Sequence, residues 1–222
     1  MIVAIDEVLS AQELGLLLER LDCADWIDGK KTAGWSAKLV KNNLQLARET
    51  ADAKNLQKRV TAALERNALF QATVQPRQIH SLLFSRYDVG MSYGAHVDNA
   101  LMKRDRVWRA DISFTLFLSS PSSYGGGELV IEESDGDRAY KLEAGSALVY
   151  PSSSLHRVEP VTAGRRWAAV GWVQSWVREE RDREILFDLD TVRRSIFAKE
   201  GKTLEFDLLS KTYSNLLRQW AE

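Results

Sequence analysis

Apolar residues in the N-terminal third of the chain recur at helical spacing. Ser10 is followed three residues later by Glu13, the pattern of a capping box, and leucines then recur as far as Leu21. This pattern predicts a helix of about 12 residues. A second helix is predicted from about Asp52 to Leu69, because apolar residues there are spaced three or four apart. The Gly- and Lys-rich stretch between the two helices predicts a turn followed by an extended segment.

From Ile79 onward the pattern changes to short apolar or alternating runs that are interrupted by Gly, Pro and Ser. Such runs predict many short strands, and hence a β barrel or sandwich of about 100 residues that ends near Val177. The pattern then becomes helical again, with one helix ending at Gly201 and a last amphipathic helix after it. The predicted organisation therefore has three parts: an N-terminal helical and extended region (1–78), a β core (79–177) and a C-terminal helical segment (178–222).

Charge and composition exclude several kinds of partner. The 222 residues include 30 Lys+Arg and 31 Asp+Glu, for a net charge of −1. Because the net charge is close to zero, the protein has no overall positive field to attract a polyanion. We therefore expect neither nucleic acid nor a membrane as a partner. The single cysteine, Cys23, cannot form an internal disulfide or a zinc site built on cysteines. The N-terminus lacks the pattern of a signal peptide and no apolar run reaches membrane-spanning length, so we expect a cytoplasmic protein.

The chain has only three histidines: His80, His96 and His156. His96 begins the triplet His96-Val97-Asp98. On a strand, the period of two would place the imidazole and the carboxylate on the same face. These are two of the ligands of the 2-His-1-carboxylate triad that binds Fe(II), and His156, from a separate strand, would be the third. The alternative for His96 is a hydrogen-bonded structural histidine, and the alternative for His156 is a histidine that caps a Ser-rich turn. For His80 we favour the hydrogen-bonded structural histidine.

Arginine side chains supply the next candidate. Arg166 follows His156 by ten residues and shares one strand face with apolar residues. An arginine buried there needs an anionic partner, which is either a protein carboxylate or a bound dicarboxylate. Arg165 is expected to point to solvent. Arg109 and Asp111 share a strand face and are expected to form a structural pair.

Together these residues resemble those of the Fe(II)/2-oxoglutarate dioxygenases, and within them the bacterial PKHD-type hydroxylases, which are related to the prolyl 4-hydroxylases. The resemblance covers nearly the whole chain. It is carried by FSRYDVGMSYGAHVDNA, RADISFTLFLSSPSSYGGGEL, LVYPSSSLHRVEPVTAGRRWAAVGWVQS and VKNNLQ. It implies an α+β fold in which a double-stranded β-helix (jelly-roll) core has N-terminal and C-terminal helices packed around it.

The resemblance also implies a function for individual residues. His96, Asp98 and His156 match the catalytic iron ligands, and Arg166 matches the residue that binds the distal carboxylate of 2-oxoglutarate. Tyr87 matches a tyrosine that donates to the co-substrate, although an aromatic core residue is an equal alternative. The implied enzyme inserts one oxygen atom from O2 into a substrate and releases succinate and CO2. The resemblance further suggests a link to bacterial iron uptake and L-ascorbate as a reductant.

Several alternatives stay open at this point. The chain could be a cupin-like metal enzyme that needs no 2-oxoglutarate, or a non-catalytic metal-binding module. The substrate could be a small molecule or a peptidyl side chain, and the terminal helices could form a homo-oligomer or cover a sheet edge. Tyr93, three residues before His96, is expected on the opposite strand face. Asn42 and Asn43 could line the substrate entrance or cap a turn, and we favour the cap.

Overall fold

The computed structural model describes residues 1–47, 50–103 and 106–222. The helices in these ranges are α1 (Ala11–Asp22), α2 (Ala51–Arg66), α3 (Ala68–Val74), α4 (Glu180–Glu200) and α5 (Leu204–Trp220). The strands of the first half are β1 (Val3–Ile5), β2 (Trp26–Asp28), β3 (Lys41–Asn42), β4 (Leu44–Leu46), β5 (Pro76–Tyr87), β6 (Ser92–His96), β7 (Leu101–Lys103) and β8 (Val107–Arg109). Those of the second half are β9 (Ile112–Phe117), β10 (Tyr124–Gly126), β11 (Leu129–Glu133), β12 (Gly136–Tyr140), β13 (Ala147–Pro151), β14 (His156–Val158), β15 (Val161–Gly164) and β16 (Arg166–Ser175).

Two antiparallel sheets form the centre of the molecule. The larger sheet has the strand order β1-β13-β9-β16-β5-β4-β2, and the smaller sheet has the order β12-β11-β14-β6-β3. Strands β9 and β13 in the larger sheet are almost fully buried, because helices cover one face of that sheet and the smaller sheet covers the other. This arrangement confirms the predicted α+β fold with a double-stranded β-helix core.

A short segment of the chain forms strand pairs with both sheets. Its first part, β3, pairs with β6 in the smaller sheet, and its second part, β4, pairs with β5 in the larger sheet. Residues 41–46 therefore pass from the edge of one sheet into the other. Side chains at alternate positions of this segment face the space between the sheets.

The N-terminal helices cover the larger sheet. The predicted capping box of α1 is present, since Ser10 and Glu13 exchange side-chain and backbone hydrogen bonds. Arg66 at the end of α2 donates to both oxygens of Glu13, at 2.7 and 2.6 Å. The prediction of one helix as far as Leu69 was wrong: α2 ends at Arg66, and the Asn67 side chain accepts from the Phe70 N–H and begins α3. Asparagine favours this N-cap position, and its backbone leaves the helical region there.

The C-terminal helices follow the predicted pattern. α4 ends at Glu200, and Gly201 takes a positive φ of 74° just after it. α5 is held to the core by few contacts, among them a hydrogen bond from Gln75 Nε2 to Tyr213 Oη at 3.1 Å. Within the described ranges no helix combines the length and the apolar character that crossing a bilayer requires. The boundaries of the three-part division stay a prediction.

Candidate active site

Two histidines and one aspartate converge between the sheets. His96 ends β6 and His156 begins β14, and the two residues are direct cross-strand partners. Asp98 follows β6 by two residues. One ligand atom from each of the three side chains lies within 4.8 Å of the others. Strand pairing thus brings together residues that are 60 positions apart in the sequence.

Asp98 does not lie on the same strand as His96, so the period of two does not set the positions of the two side chains. β6 ends at His96, and Asp98 lies beyond the strand end. Its carboxylate still reaches the group, with Asp98 Oδ2 3.9 Å from His156 Nε2. The carboxylate is held in place by Ser113 Oγ on β9, which donates to Oδ2 at 2.6 Å. Ser113 Oγ also lies 2.8 Å from Ser152 Oγ, so a second buried hydroxyl orients the serine that holds the aspartate.

Backbone carbonyls orient both imidazoles. His96 Nδ1 donates to Gly94 O at 2.8 Å, and His156 Nδ1 donates to Ser154 O at 3.0 Å. A carbonyl oxygen can only accept, so the hydrogen of each neutral ring is on Nδ1 and the lone pair is on Nε2. This is the arrangement in which metal-binding histidines are usually held.

The electrostatic surroundings favour a neutral His96. Burial lowers its pKa to about 4, and the neighbouring His156 acts in the same direction. An imidazole must be neutral to donate its lone pair to a metal. His96 is therefore in its metal-binding form at neutral pH.

Tyr93 does not lie where the strand period predicted. Its ring stacks on His96, with centroids 3.6 Å apart and an interplanar angle of 15°. The register explains this, because His156 pairs with His96 while Val158 pairs with Tyr93. Between these two pairs, Gly94 and Ala95 of β6 lie opposite Arg157 alone of β14. The extra residue is a β-bulge, which reverses the facing of the side chains beyond it.

Arg166 is a buried cation that faces the same cavity. Only 1% of the residue is exposed, and its Nε and Nη2 atoms have no hydrogen-bond partner among the described residues. Its guanidinium carbon lies 5.2 Å from the Tyr87 ring centroid and 5.5 Å from that of Phe117. Gly127, with a φ of 67°, leaves room for the arginine stem, since a Cβ there would lie 3.0 Å from Arg166 Cδ. Arg165 points outward and pairs with Asp88 at 3.0 Å, as expected.

Tyr87 lies beside this guanidinium as its cross-strand partner on β5. Burial raises the pKa of the phenol, and the Arg166 charge opposes that shift only in part. Tyr87 is therefore protonated at neutral pH and has a hydrogen to donate.

A cavity between the sheets brings the candidates together; its empty volume is about 820 Å³ when the space open to solvent is included. It is lined by all five predicted site residues: His96, Asp98, His156, Arg166 and Tyr87. Sequence reasoning missed other polar lining residues, among them Ser113 and Lys41. For Lys41, a signal was present in the alternating polar positions of KNNLQ. For Asn43, the sequence left open a place at the substrate entrance or a turn cap, and the favoured cap was wrong, because the side chain lines the cavity.

Other candidates lie apart from the three converging side chains. His80 is buried on β5, with its ring 6.1 Å from that of Trp108. Arg109 Nε pairs with Asp111 Oδ1 at 2.6 Å, which confirms the expected ion pair. Asn42 is exposed, with its Nδ2 3.5 Å from Gly90 O.

Comparisons with known proteins extend over the whole chain. A family model described as the 2OG-Fe(II) oxygenase superfamily matches residues 82–174, and one described as the PKHD-type hydroxylase C-terminal domain matches residues 180–222. A PKHD-type hydroxylase of Rippkaea orientalis is 61% identical over 222 residues, and one of Synechococcus elongatus is 60% identical over 223. In both cases the match covers 100% of each chain.

Solved structures show the same fold at low sequence identity. A Pseudomonas putida prolyl-4-hydroxylase superposes with a TM-score of 0.53 and 20% identity, covering 78% of this chain and 92% of its own. A Trichoplax adhaerens prolyl hydroxylase, solved with a peptide fragment, has a TM-score of 0.58 and 13% identity, covering 83% and 86%. HygX from Streptomyces hygroscopicus, solved with nickel and 2-oxoglutarate, has a TM-score of 0.57 and 14% identity, covering 80% and 84%.

Proposed function

Because this chain belongs to the PKHD-type hydroxylases of the 2OG-Fe(II) oxygenase superfamily, we propose that its five cavity residues divide the binding of metal and co-substrate between them. His96, Asp98 and His156 are the Fe(II) ligands. Arg166 binds the distal carboxylate of 2-oxoglutarate, and Tyr87 donates a hydrogen bond to the same molecule. The family membership favours this enzyme over both alternatives, the metal enzyme without 2-oxoglutarate and the non-catalytic module.

The residues present fit these groups. Two imidazoles with their Nε2 lone pairs available and one carboxylate form the donor set of the facial triad. The guanidinium has two N–H-bearing atoms without partners among the described residues, which suits a dicarboxylate. The observation that carries the proposal is the presence of both features in one cavity.

Iron, 2-oxoglutarate and O2 supply the chemistry that inserts one oxygen atom into a C–H bond, with release of succinate and CO2. The protein's own residues do the positioning. Ser113 fixes the orientation of the Asp98 carboxylate, and the carbonyls of Gly94 and Ser154 fix the two rings. Strands β6 and β14 hold the two histidines, and Ser113 on strand β9 holds Asp98, so the ligands are fixed as a precise metal site requires. The link to iron uptake, the use of ascorbate and the cytoplasmic location stay predictions from the sequence.

The test is an anaerobic titration of the apo-protein with Fe(II) and then 2-oxoglutarate, followed by measurement of succinate after O2 is admitted. We expect a visible absorption band that needs both additions, and succinate formation that depends on Fe(II). Asp98→Ala should lose both signals. Asp135→Ala is the matched control, because Asp135 is exposed on the turn between β11 and β12. Succinate formation by Asp98→Ala at the wild-type rate would exclude the proposed ligand set.

A further inference from the structure

One wall of the cavity consists of polar residues that have no role in the proposed binding of metal and co-substrate. Lys41, Asn43 and Gln45 alternate along the segment that joins β3 to β4, so their side chains share one face. Each of these residues is at most 5% exposed, and all three line the cavity that holds the proposed metal ligands. These three residues are called the polar wall below.

Gln45 and Asn43 differ in whether their side-chain amides have hydrogen-bond partners. Gln45 is hydrogen-bonded within the protein, through Oε1 to the Thr32 hydroxyl and through Nε2 to Ser85 Oγ at 3.4 Å. Asn43 lies near Tyr87, yet neither its Nδ2 nor its Oδ1 has a partner with hydrogen-bond geometry among the described residues. Leaving a buried amide without partners is costly, and where it lines a cavity it indicates a ligand.

Lys41 places a cation on the same wall, close to the proposed metal ligands. Its Nζ donates to Thr32 Oγ1 at 3.1 Å and lies 4.9 Å from the ring centroid of Tyr93. The Tyr93 ring in turn stacks on His96. The ammonium is therefore near the metal end of the cavity, beside Thr32, which also lines it.

The two cations of the cavity have different neighbours. Arg166 lies among Tyr87, Phe117 and Tyr124, whereas Lys41 lies beside Tyr93 and Thr32. Among the charged side chains in the described lining, which are Lys41, Asp98 and Arg166, only the lysine has no part in binding metal or co-substrate.

We infer that Lys41 and Asn43 bind a carboxylate of the primary substrate, so that the enzyme oxidises carboxylate-bearing molecules. The inference rests on the proposed function, because it assumes that Asp98 and Arg166 are occupied by metal and co-substrate. The Lys41 ammonium supplies the charge and the Asn43 Nδ2 supplies a directed N–H donor, the combination that carboxylates favour. Gly29 makes room for this amide, since a Cβ there would lie 1.8 Å from Asn43 Oδ1. The carboxylate could belong to a free amino acid or to an Asp or Glu side chain of a peptide.

The experiment uses the full-length protein loaded with Fe(II) and 2-oxoglutarate. One arm compares free L-amino acids with their methyl esters. The other arm compares blocked peptides that contain Asp or Glu with the same peptides that contain Asn or Gln. Binding is followed anaerobically by the change each compound causes in the visible band, and turnover by O2 consumption. We expect at least one acid to bind about 30-fold or more tightly than its neutral counterpart, the loss that follows removal of one partner of a buried charge pair.

Variants then assign this discrimination to the polar wall. Lys41→Met should abolish the preference for acid over ester, while the KM for 2-oxoglutarate shifts by less than about threefold, within the scatter of such comparisons. Lys38→Met is the matched control, because Lys38 is exposed three residues earlier. Asn43→Ala should weaken acid binding, and its exposed neighbour Asn42 supplies the control Asn42→Ala.

Three outcomes would overturn the inference: esters that bind as well as acids, no acid that binds, or a preference that persists in Lys41→Met. The first two need only the wild-type protein, so they do not depend on whether a variant folds. If the loaded protein shows neither the visible band nor succinate formation, the proposed function fails as well. If both signals are present but no acid preference is found, the inference about substrate alone is wrong.

Discussion

Arg166→Met tests whether a buried guanidinium is kept for a ligand at a cost to the stability of the apo-protein. Methionine is apolar and of similar length, so it fills the space without hydrogen-bonding requirements. Nε and Nη2 of Arg166 have no partner among the described residues. Each buried donor left unsatisfied costs about 1–3 kcal/mol, so the substitution relieves about 2–6 kcal/mol.

The opposing loss comes from two aromatic contacts. The guanidinium lies 5.2 Å from the Tyr87 centroid and 5.5 Å from the Phe117 centroid. Two such cation–π contacts are together worth about 1–4 kcal/mol. The middle of the first range is about 4 kcal/mol gained, and the middle of the second is about 2.5 kcal/mol lost. Arg166→Met should therefore raise the free energy of unfolding of the apo-protein by about 1–2 kcal/mol. For a chain of this length that gain raises Tm by about 2–8 °C.

Adding Fe(II) and 2-oxoglutarate should make the wild type more stable than Arg166→Met. Fe(II) with 2-oxoglutarate at 100 times the wild-type Kd stabilises the wild type by about 2.7 kcal/mol. The variant loses the charge partner of the distal carboxylate, which weakens binding by about 2–5 kcal/mol, so the same concentration stabilises it little. The wild type then has the higher free energy of unfolding and the higher Tm.

The assay is anaerobic differential scanning calorimetry with and without Fe(II) and 2-oxoglutarate. Arg165→Met is the matched control, because Arg165 is exposed and its ion pair with Asp88 contributes about 0–1 kcal/mol. A lower Tm for apo Arg166→Met than for the apo wild type would refute the reasoning about unsatisfied donors. An unchanged affinity for 2-oxoglutarate would refute the binding role of Arg166.

Two further predictions concern the metal site and the N-terminal helices. Ser113→Ala removes the 2.6 Å donor to Asp98 and should lower Fe(II) affinity about 10–100-fold in an anaerobic titration, and unchanged affinity would argue against a positioning role. Glu13→Gln tests the ion pair that links α1 and α2. Hydrogen bonds from Arg66 lower the pKa of Glu13 from 4.5 to about 2. The pair therefore stabilises the folded protein fully above pH 4.5, and this stabilisation is lost as the pH falls towards 2. Because the pair is partly solvent-exposed, we expect a difference of about 1 kcal/mol in urea unfolding at pH 7 that disappears near pH 2, and a difference that persists at pH 2 would contradict the assignment.

Local signals in the sequence predicted most of the elements. The capping box at Ser10, the apolar spacing of the helices and the cap at Gly201 act within a few residues of one another, and the structure contains each of them. The one helix boundary that was predicted wrongly lies at Asn67. The apolar residues keep their helical spacing on both sides of Asn67, but the Asn67 side chain caps a new helix and so ends the first one.

The candidate site depends on longer-range information. The residue types at His96, Asp98 and His156 indicated a metal site, but their proximity depends on the pairing of β14 with β6. The bulge in β6 could not be predicted, because an extra residue changes the facing of side chains without changing the alternation of residue types. Tyr93 was placed on the wrong face for this reason.

The sequence by itself determined most of the helices, the region of short strands and the chemical kinds of ligand, because these follow from local hydrophobic spacing and from residue type. The jelly-roll fold class came from the resemblance to a known family. Only the tertiary structure decided which polar residues share the cavity with the three ligands. Ser113 reaches Asp98 from a strand of the larger sheet, and Lys41 and Asn43 reach the cavity because one short segment crosses between the sheets. The physical reason is that hydrogen bonds and ion pairs act over a few ångströms, whereas the chain brings together residues that lie tens of positions apart.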